Sequence, residues 1–206
     1  MSTEPESRIH PDPNLWRQST PGSESWPRSP QPSADNKFFM ASADCHAQEP
    51  LDFLSARMPE KYHERLPAVI LGGDGTKWQK TEGYRPTKLF NFKFEGEDLE
   101  RSQAGFTPDE RLAALDRDGV DCELIFPNKG LTVWATPDTA FSQGMCRAWN
   151  EWAWEEFGPH NDRLSPVACI APGDMDGAIA EIELAAKLGF RALALPTKPE
   201  WGPPDF

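Results

Sequence analysis

The chain has 206 residues, a formal net charge of −12, a mean hydropathy of −0.63 and only four cysteines. The length suffices for one domain with a sizeable core, and the acidic balance argues against nucleic acid and anionic membrane surfaces as partners. Cys45, Cys122, Cys146 and Cys169 show no C-x-x-C spacing and no pairing rhythm, which argues against a zinc finger or a disulfide framework and fits reduced thiols in a cytoplasmic protein.

Residues 1–37 carry seven prolines and seven serines around isolated large apolar residues. Such a composition buries too little surface to offset chain entropy, so a disordered tail is expected. It lacks an apolar signal run, and no stretch of the chain is long enough to span a bilayer. The folded part is expected to cover residues 38–206.

It opens on Phe38 to Pro50 (FFMASADCHAQEP), a short apolar run ending in a carboxylate and an imidazole. Strand side chains alternate, so Asp44 and His46 point one way and Cys45 the other. Two such side chains can lean onto one ion at zinc-ligand distances of about 2.0–2.2 Å. A solvated loop-edge pair is the competing reading, because two ligands alone make an incomplete metal site.

Residues 47–106 read as a long excursion, a loop or lid inserted after the first strand. A short helix is expected near 51–58, and Gly72-Gly73-Asp74-Gly75 is turn chemistry without the spacing of a phosphate-cradling motif. Phe90, Phe92 and Phe94 alternate with polar residues and suggest an extended segment with one apolar face. The acids between Glu95 and Glu123 outnumber the basic residues there and read as a solvated face.

From residue 107 the pattern becomes regular. Thr107-Pro108-Asp109-Glu110 has the residues of a capped helix start, and Gly119 ends that helix. Residues 120–127 form the second strand. Thr136-Pro137-Asp138-Thr139 repeats the start signal, followed by an apolar stripe of Phe141, Met145, Ala148, Trp149, Trp152 and Ala153. Residues 164–172 form the third strand, and Asp174 caps a helix with apolar positions Met175, Ile179, Ile182 and Ala186. Residues 190–196 form the fourth strand. The order β-α-β-α-β-α-β with near-continuous apolar strands predicts a parallel sheet covered by helices. A doubly wound sheet and a (β/α)8 barrel compete, and the dinucleotide fingerprint that would favour the first is missing.

The stretch Ser42-Ala43-Asp44-Cys45-His46-Ala47-Gln48-Glu49-Pro50 resembles the first-strand signature of the amidohydrolase-related group (amidohydrolase family 2). The stretches Cys146 to Trp152, Asn161 to Leu164, Ala168 to Asp176 and Gly189 to Leu193 look like the same group's third and fourth barrel units. The resemblance implies a TIM-like (β/α)8 barrel of which this chain supplies about the first four β/α units. It also implies metal-dependent hydrolysis or non-oxidative decarboxylation of a small-molecule substrate, with a carboxylate among the candidates. By position, Asp44 and His46 match the group's first-strand metal ligands, with a divalent ion, zinc or alternatively manganese, as cofactor. Asp stands first where His is commoner. Glu49 matches an acidic residue that supports the ligands from behind, faces the substrate or is a helix-start carboxylate. Asn128, Lys129 and Trp134, with Thr197 and Lys198, fall after strands and would line the mouth. Lys129 could pair with an anionic substrate or be a solvated loop lysine.

The group's distal histidine and aspartate have no counterpart, because they follow a fifth and an eighth strand. His160 sits at the opposite end of the strands, and no spacing argues for His63. The chain is therefore expected to be the N-terminal half of a barrel enzyme, inactive alone. A half barrel exposes strand edges, an aggregation hazard unless something covers them, so a homo-oligomer is admitted. The alternative is a non-catalytic half-barrel remnant acting, if at all, through association.

Overall fold

The computed structural model describes residues 39–89, 94–97, 99, 105–128, 133–134 and 136–196. The tail assigned to residues 1–37, Lys129, Thr197 and Lys198 lie outside them. Four strands form one parallel sheet: β1 (Ala41–His46), β5 (Cys122–Phe126), β6 (Leu164–Cys169) and β7 (Ala192–Ala194), in the spatial order β1-β5-β6-β7. Each new strand is added to the same edge. That is the progression of a (β/α)8 barrel, whereas a doubly wound sheet reverses direction at a switch point. The described strands make an open arc, and the barrel is not closed. The strands are shorter than the apolar runs predicted, and Pro127 directly follows β5.

Helix α1 (Pro108–Asp118) begins with the expected capping box. The Thr107 hydroxyl accepts from the Glu110 N–H at 3.3 Å, and the Glu110 carboxylate accepts from the Thr107 N–H at 3.2 Å. Gly119 ends the helix at φ 70°, a left-handed conformation that glycine adopts without a Cβ clash. Helix α2 (Thr139–Phe157) starts later than the Thr136 signal predicts. The Thr136 hydroxyl donates to Glu82 at 2.6 Å, and its oxygen accepts from the Asp138 N–H at 3.2 Å, just ahead of the helix. Asp138 is the cap instead, its carboxylate accepting from the Phe141 N–H at 3.1 Å. The predicted stripe of α2 is buried throughout and forms the core with Ile125, Leu164 and Cys169 of the sheet. The Trp149 indole donates to the Val167 carbonyl at 2.8 Å, so this large ring is buried with its polar atom satisfied.

Helix α3 (Met175–Leu188) reverses the expected orientation. Met175, Ile179, Ile182 and Ala186 are exposed, while Ala178, Glu181 and Ala185 face inward. Small residues let α3 approach α2 closely, and the Glu181 carboxylate is held there by Arg147 at 2.7 Å and Asn150 at 2.7 Å. A paired, hydrogen-bonded acid can be buried where an unpaired one cannot. Asp174 precedes the helix without a side-chain cap bond; its carboxylate accepts instead from Gln143 at 3.3 Å. Leu193 and Leu195 are exposed at the β7 edge.

The excursion is more ordered than a loop. Residues 51–57 form successive turns in place of the predicted helix, then a 3-10 helix spans Glu60–Arg65. Strands β2 (Ala68–Leu71), β3 (Lys77–Lys80) and β4 (Thr87–Lys88) form an antiparallel sheet of their own. Pairing in that sheet is local, which the apolar pattern alone did not indicate. Of the predicted Phe90–Phe94 alternation, residues 90–93 lie outside the described residues. The excursion is clamped to the start of α2 by Arg65, which donates to Glu82 at 2.6 and 2.8 Å and to Asp138 at 2.9 Å. Its guanidinium lies 4.4 Å from the Phe141 ring centroid.

The acidic run is not simply a solvated face. Asp121 is buried, and its carboxylate accepts from the Met40 N–H at 2.7 Å, fixing the entry to β1. Glu123 is buried as well.

Candidate metal centre

Strand β1 carries a register irregularity against β5. Ser42 pairs with Glu123 but Cys45 pairs with Ile125, so β1 spends one residue more than its partner between them. Bulges of this kind re-aim side chains and recur beside functional sites. Here Ser42 and Cys45 come to the same face, with their side-chain atoms 3.0 Å apart. That face is the covered one, because Glu123 and Ile125 are both buried on it. Asp44 and His46 share the other face, as the alternation predicts, and His46 lies beside Phe126 with ring centroids 6.2 Å apart.

The His46 ring is held by its Nδ1, which lies 2.9 Å from the Pro127 carbonyl oxygen. A carbonyl can only accept, so Nδ1 carries a proton, and Nε2 is the ring nitrogen left to face a ligand. That Nε2 sits 3.4 Å from Asp44 Oδ1. The Asp44 side chain is 90% exposed and that of His46 38%. The pair therefore stands on an open surface at the C-terminal end of β1, the end where barrel enzymes place their chemistry.

Glu49 is buried, and its carboxylate accepts from the Asn128 N–H at 2.8 Å. It ties the exit of β1 to the exit of β5, with no helix following that would make it a helix-start carboxylate. Asn128 is thereby brought to the site by its backbone. Trp134 is half-buried against the core, and its indole donates to the Ile170 carbonyl at 2.7 Å, so the structure packs this predicted mouth residue inward. His63 lines a separate apolar cavity of about 380 Å³ with Phe53, Leu54 and Leu66, its Nε2 2.9 Å from the Met58 carbonyl. His160 ends a 3-10 helix (Gly158–His160) before β6, at the opposite end of the strands from His46.

His46 itself borders a cavity of about 300 Å³ whose walls also include Ser42, Cys45, Arg111 and Glu123. Arg111 donates to Glu123 at 2.5 Å and to the main-chain carbonyls of His46 at 3.1 Å and Gly105 at 3.3 Å. Neither residue stood out in the sequence; an arginine four positions after the Thr107 cap and a lone acid in a strand were the available signals. Burial pushes the Cys45 thiol above its ordinary pKa, so it is a poor nucleophile and packs as a small apolar group.

A family model described as amidohydrolase matches residues 43–205. The chain belongs to the amidohydrolase family. No curated protein matches it. Among solved structures, an amidohydrolase, map2389c, from Mycobacterium avium subsp. paratuberculosis K-10 is similar at 16% identity and a TM-score of 0.55, over 75% of this chain and 48% of that one. The 2,6-dihydroxybenzoate decarboxylase from Rhizobium is similar at 18% identity and a TM-score of 0.46, over 75% of this chain and 37% of that one. The same enzyme complexed with 2,6-dihydroxybenzoate gives 18% and 0.46, with 38% of that chain covered. This amidohydrolase chain thus spans less than half the length of each of these structures.

Whether the residues of the amidohydrolase chain fit a divalent ion can be tested on their geometry. Two donor atoms 3.4 Å apart are spaced as ligands about 2.0–2.2 Å from one ion would be at a near-tetrahedral angle. A histidine whose other nitrogen donates to a carbonyl is the usual form of a metal-bound imidazole. The pair fits as part of a ligand set. Among the described residues, no group of three or more His, Cys, Asp and Glu side chains is placed to hold a metal. Among the described residues, no helix is long and apolar enough to cross a membrane.

Proposed function

We propose that this amidohydrolase chain supplies two ligands, Asp44 and His46, to a divalent-metal site for hydrolysis or non-oxidative decarboxylation of a small molecule. The single observation that supports the reading most is the orientation of His46, whose Nδ1 is held by the Pro127 carbonyl while its Nε2 stands beside the Asp44 carboxylate. A mixed oxygen and imidazole donor pair suits zinc, with manganese the alternative. Such an ion supplies Lewis-acid charge, which serves hydrolysis by acidifying water and decarboxylation by offsetting the charge left as carbon dioxide departs.

The chain's own residues do the holding. Pro127 fixes the His46 tautomer, and Glu49 fixes the distance between the β1 and β5 exits through Asn128. Asn128 is exposed at the rim, where its side chain is available to a substrate polar group. Lys129, adjoining it in sequence, is proposed to meet the negative charge of a carboxylate substrate. Two ligands are fewer than the three protein ligands of catalytic zinc sites. The reading therefore places further ligands outside the described residues, on other parts of a full barrel.

Calorimetric titration of the purified chain with zinc tests this. Weak binding that disappears in both Asp44→Ala and His46→Ala is the expected result. Tight one-to-one binding that survives Asp44→Ala would show that the ligands lie elsewhere.

A further inference from the structure

Arg111 and Glu123 are an ion pair inside the protein, with side chains only 11% and 7% exposed. Burying two charges is costly, and replacing such a pair by apolar residues is often neutral or stabilising. Stability is therefore a weak reason for their presence, and their remaining bonds point to another. The Arg111 side chain of α1 reaches back to the sheet. Its Nη1 donates to the carbonyl of His46, the last residue of β1, at 3.1 Å, and to Gly105, just before α1, at 3.3 Å. Glu123 accepts from Nε at 2.5 Å, which fixes the guanidinium plane from below. The same guanidinium lies 6.0 Å from the ring centroid of Phe157 at the end of α2. One planar group is thus located by α1, β5 and α2 and delivers its donor to the main chain of His46.

We propose that Arg111, held by Glu123, is a positioning residue that sets the main chain of His46 and so aims its Nε2 at the point shared with Asp44. The proposal rests on the reading of Asp44 and His46 as metal ligands. His46 is then held at two places, its ring by Pro127 and its carbonyl by Arg111. His46 is also paired with Phe126 in the sheet, so loss of Arg111 leaves the strand in place but frees the His46 carbonyl; the ring's hold on Pro127 then loosens and both tautomers become accessible. Only a planar fork can bond the carboxylate with one nitrogen and a carbonyl with another; a lysine ammonium keeps the charge but not that geometry.

The test compares the purified chain with Arg111→Met, Arg111→Lys and, as a control, Leu115→Ala. Leu115 is a buried residue of α1 that makes none of these bonds. Two quantities are read: cobalt(II) affinity by absorption titration, and the His46 tautomer by nitrogen NMR of the metal-free ring. Loss of outer-shell partners costs about 10–100-fold in metal affinity. Arg111→Met is expected to lose that much and to show mixed His46 tautomers. Arg111→Lys is expected to unfold close to the parent midpoint yet lose affinity in the same direction, which keeps the proposal testable if Arg111→Met does not fold. Leu115→Ala is expected to lower the unfolding midpoint while leaving both site readouts at parental values. An unchanged tautomer and affinity in Arg111→Lys, or equal losses in Leu115→Ala, would overturn the proposal. If the parent binds no cobalt but the tautomer still depends on Arg111, the positioning role stands and the metal reading falls.

Discussion

Replacing Asn150 by alanine strikes at the bond network that finishes β6. Asn150 is 1% exposed in the middle of α2. Its Oδ1 accepts from the Cys169 N–H at 2.7 Å, and its Nδ2 donates to the Cys169 carbonyl at 3.0 Å and to Glu181 at 2.7 Å. A side-chain amide here completes the backbone bonding of a buried strand end. Alanine removes all three bonds and leaves the Cys169 N–H and C=O buried without this partner. Each orphaned buried group costs about 1–3 kcal/mol. Glu181 loses one donor but keeps Arg147, which limits its share. The summed expectation is a destabilisation of about 3–5 kcal/mol, a large part of the roughly 5–15 kcal/mol that holds a domain folded. At about 2–4 °C per kcal/mol for a chain of this size, the midpoint should fall by about 10 °C. Urea unfolding followed by tryptophan fluorescence measures this directly, because Trp149 and Trp152 flank the position. Asn150→Asp should cost at least as much at neutral pH, since it sets a carboxylate against Glu181 and a carbonyl. A loss below about 1 kcal/mol for Asn150→Ala would refute the claim that this amide carries the strand end.

Three further outcomes are expected. Gly189 ends α3 at φ 114°, and an added Cβ would lie 2.8 Å from the Trp154 ring, so Gly189→Ala should destabilise by about 1–3 kcal/mol in thermal unfolding, and a neutral result would count against the assigned backbone. The Arg65 hydrogen bonds hold the Glu82 carboxyl below the usual carboxylate range, and the Phe141 N–H followed by Arg65 do the same for Asp138. Depressed folded-state pKa values give stability that is present above the unfolded carboxylate pKa of about 4 and is lost as pH falls through the folded values; Arg65→Met should flatten that acid limb, and an unaltered limb would exclude the clamp. Burial raises the Cys146 and Cys169 thiols far above the ordinary range, so both should resist Ellman's reagent in the native chain while half-buried Cys45 and Cys122 react first; rapid native reaction of all four thiols would contradict the packing.

Signals carried by neighbours in the chain were legible without a structure. The Thr107 capping box, the Gly119 stop and the buried stripe of α2 depend on spacing within one helix, and spacing is what a sequence displays. The same holds for Asp44 and His46 sharing a face, because alternation is a property of a single strand. The parallel sheet followed from the order of elements, but only the spatial order β1-β5-β6-β7 decided between barrel and doubly wound sheet. What the sequence could not display were choices made between distant segments. Thr136 instead bridges two segments, its hydroxyl donating to Glu82, 54 residues away, while its oxygen accepts from the Asp138 N–H, and Asp138 is the cap. The apolar stripe of α3 faces outward, and it is Glu181 that lies against Arg147 and Asn150 of α2. Arg111 and Glu123 looked like members of a solvated acidic run until α1 folded back over the sheet and set them against the His46 carbonyl. A hydrogen-bonding side chain records nothing of its partner in its own neighbourhood, so such choices belong to tertiary structure alone.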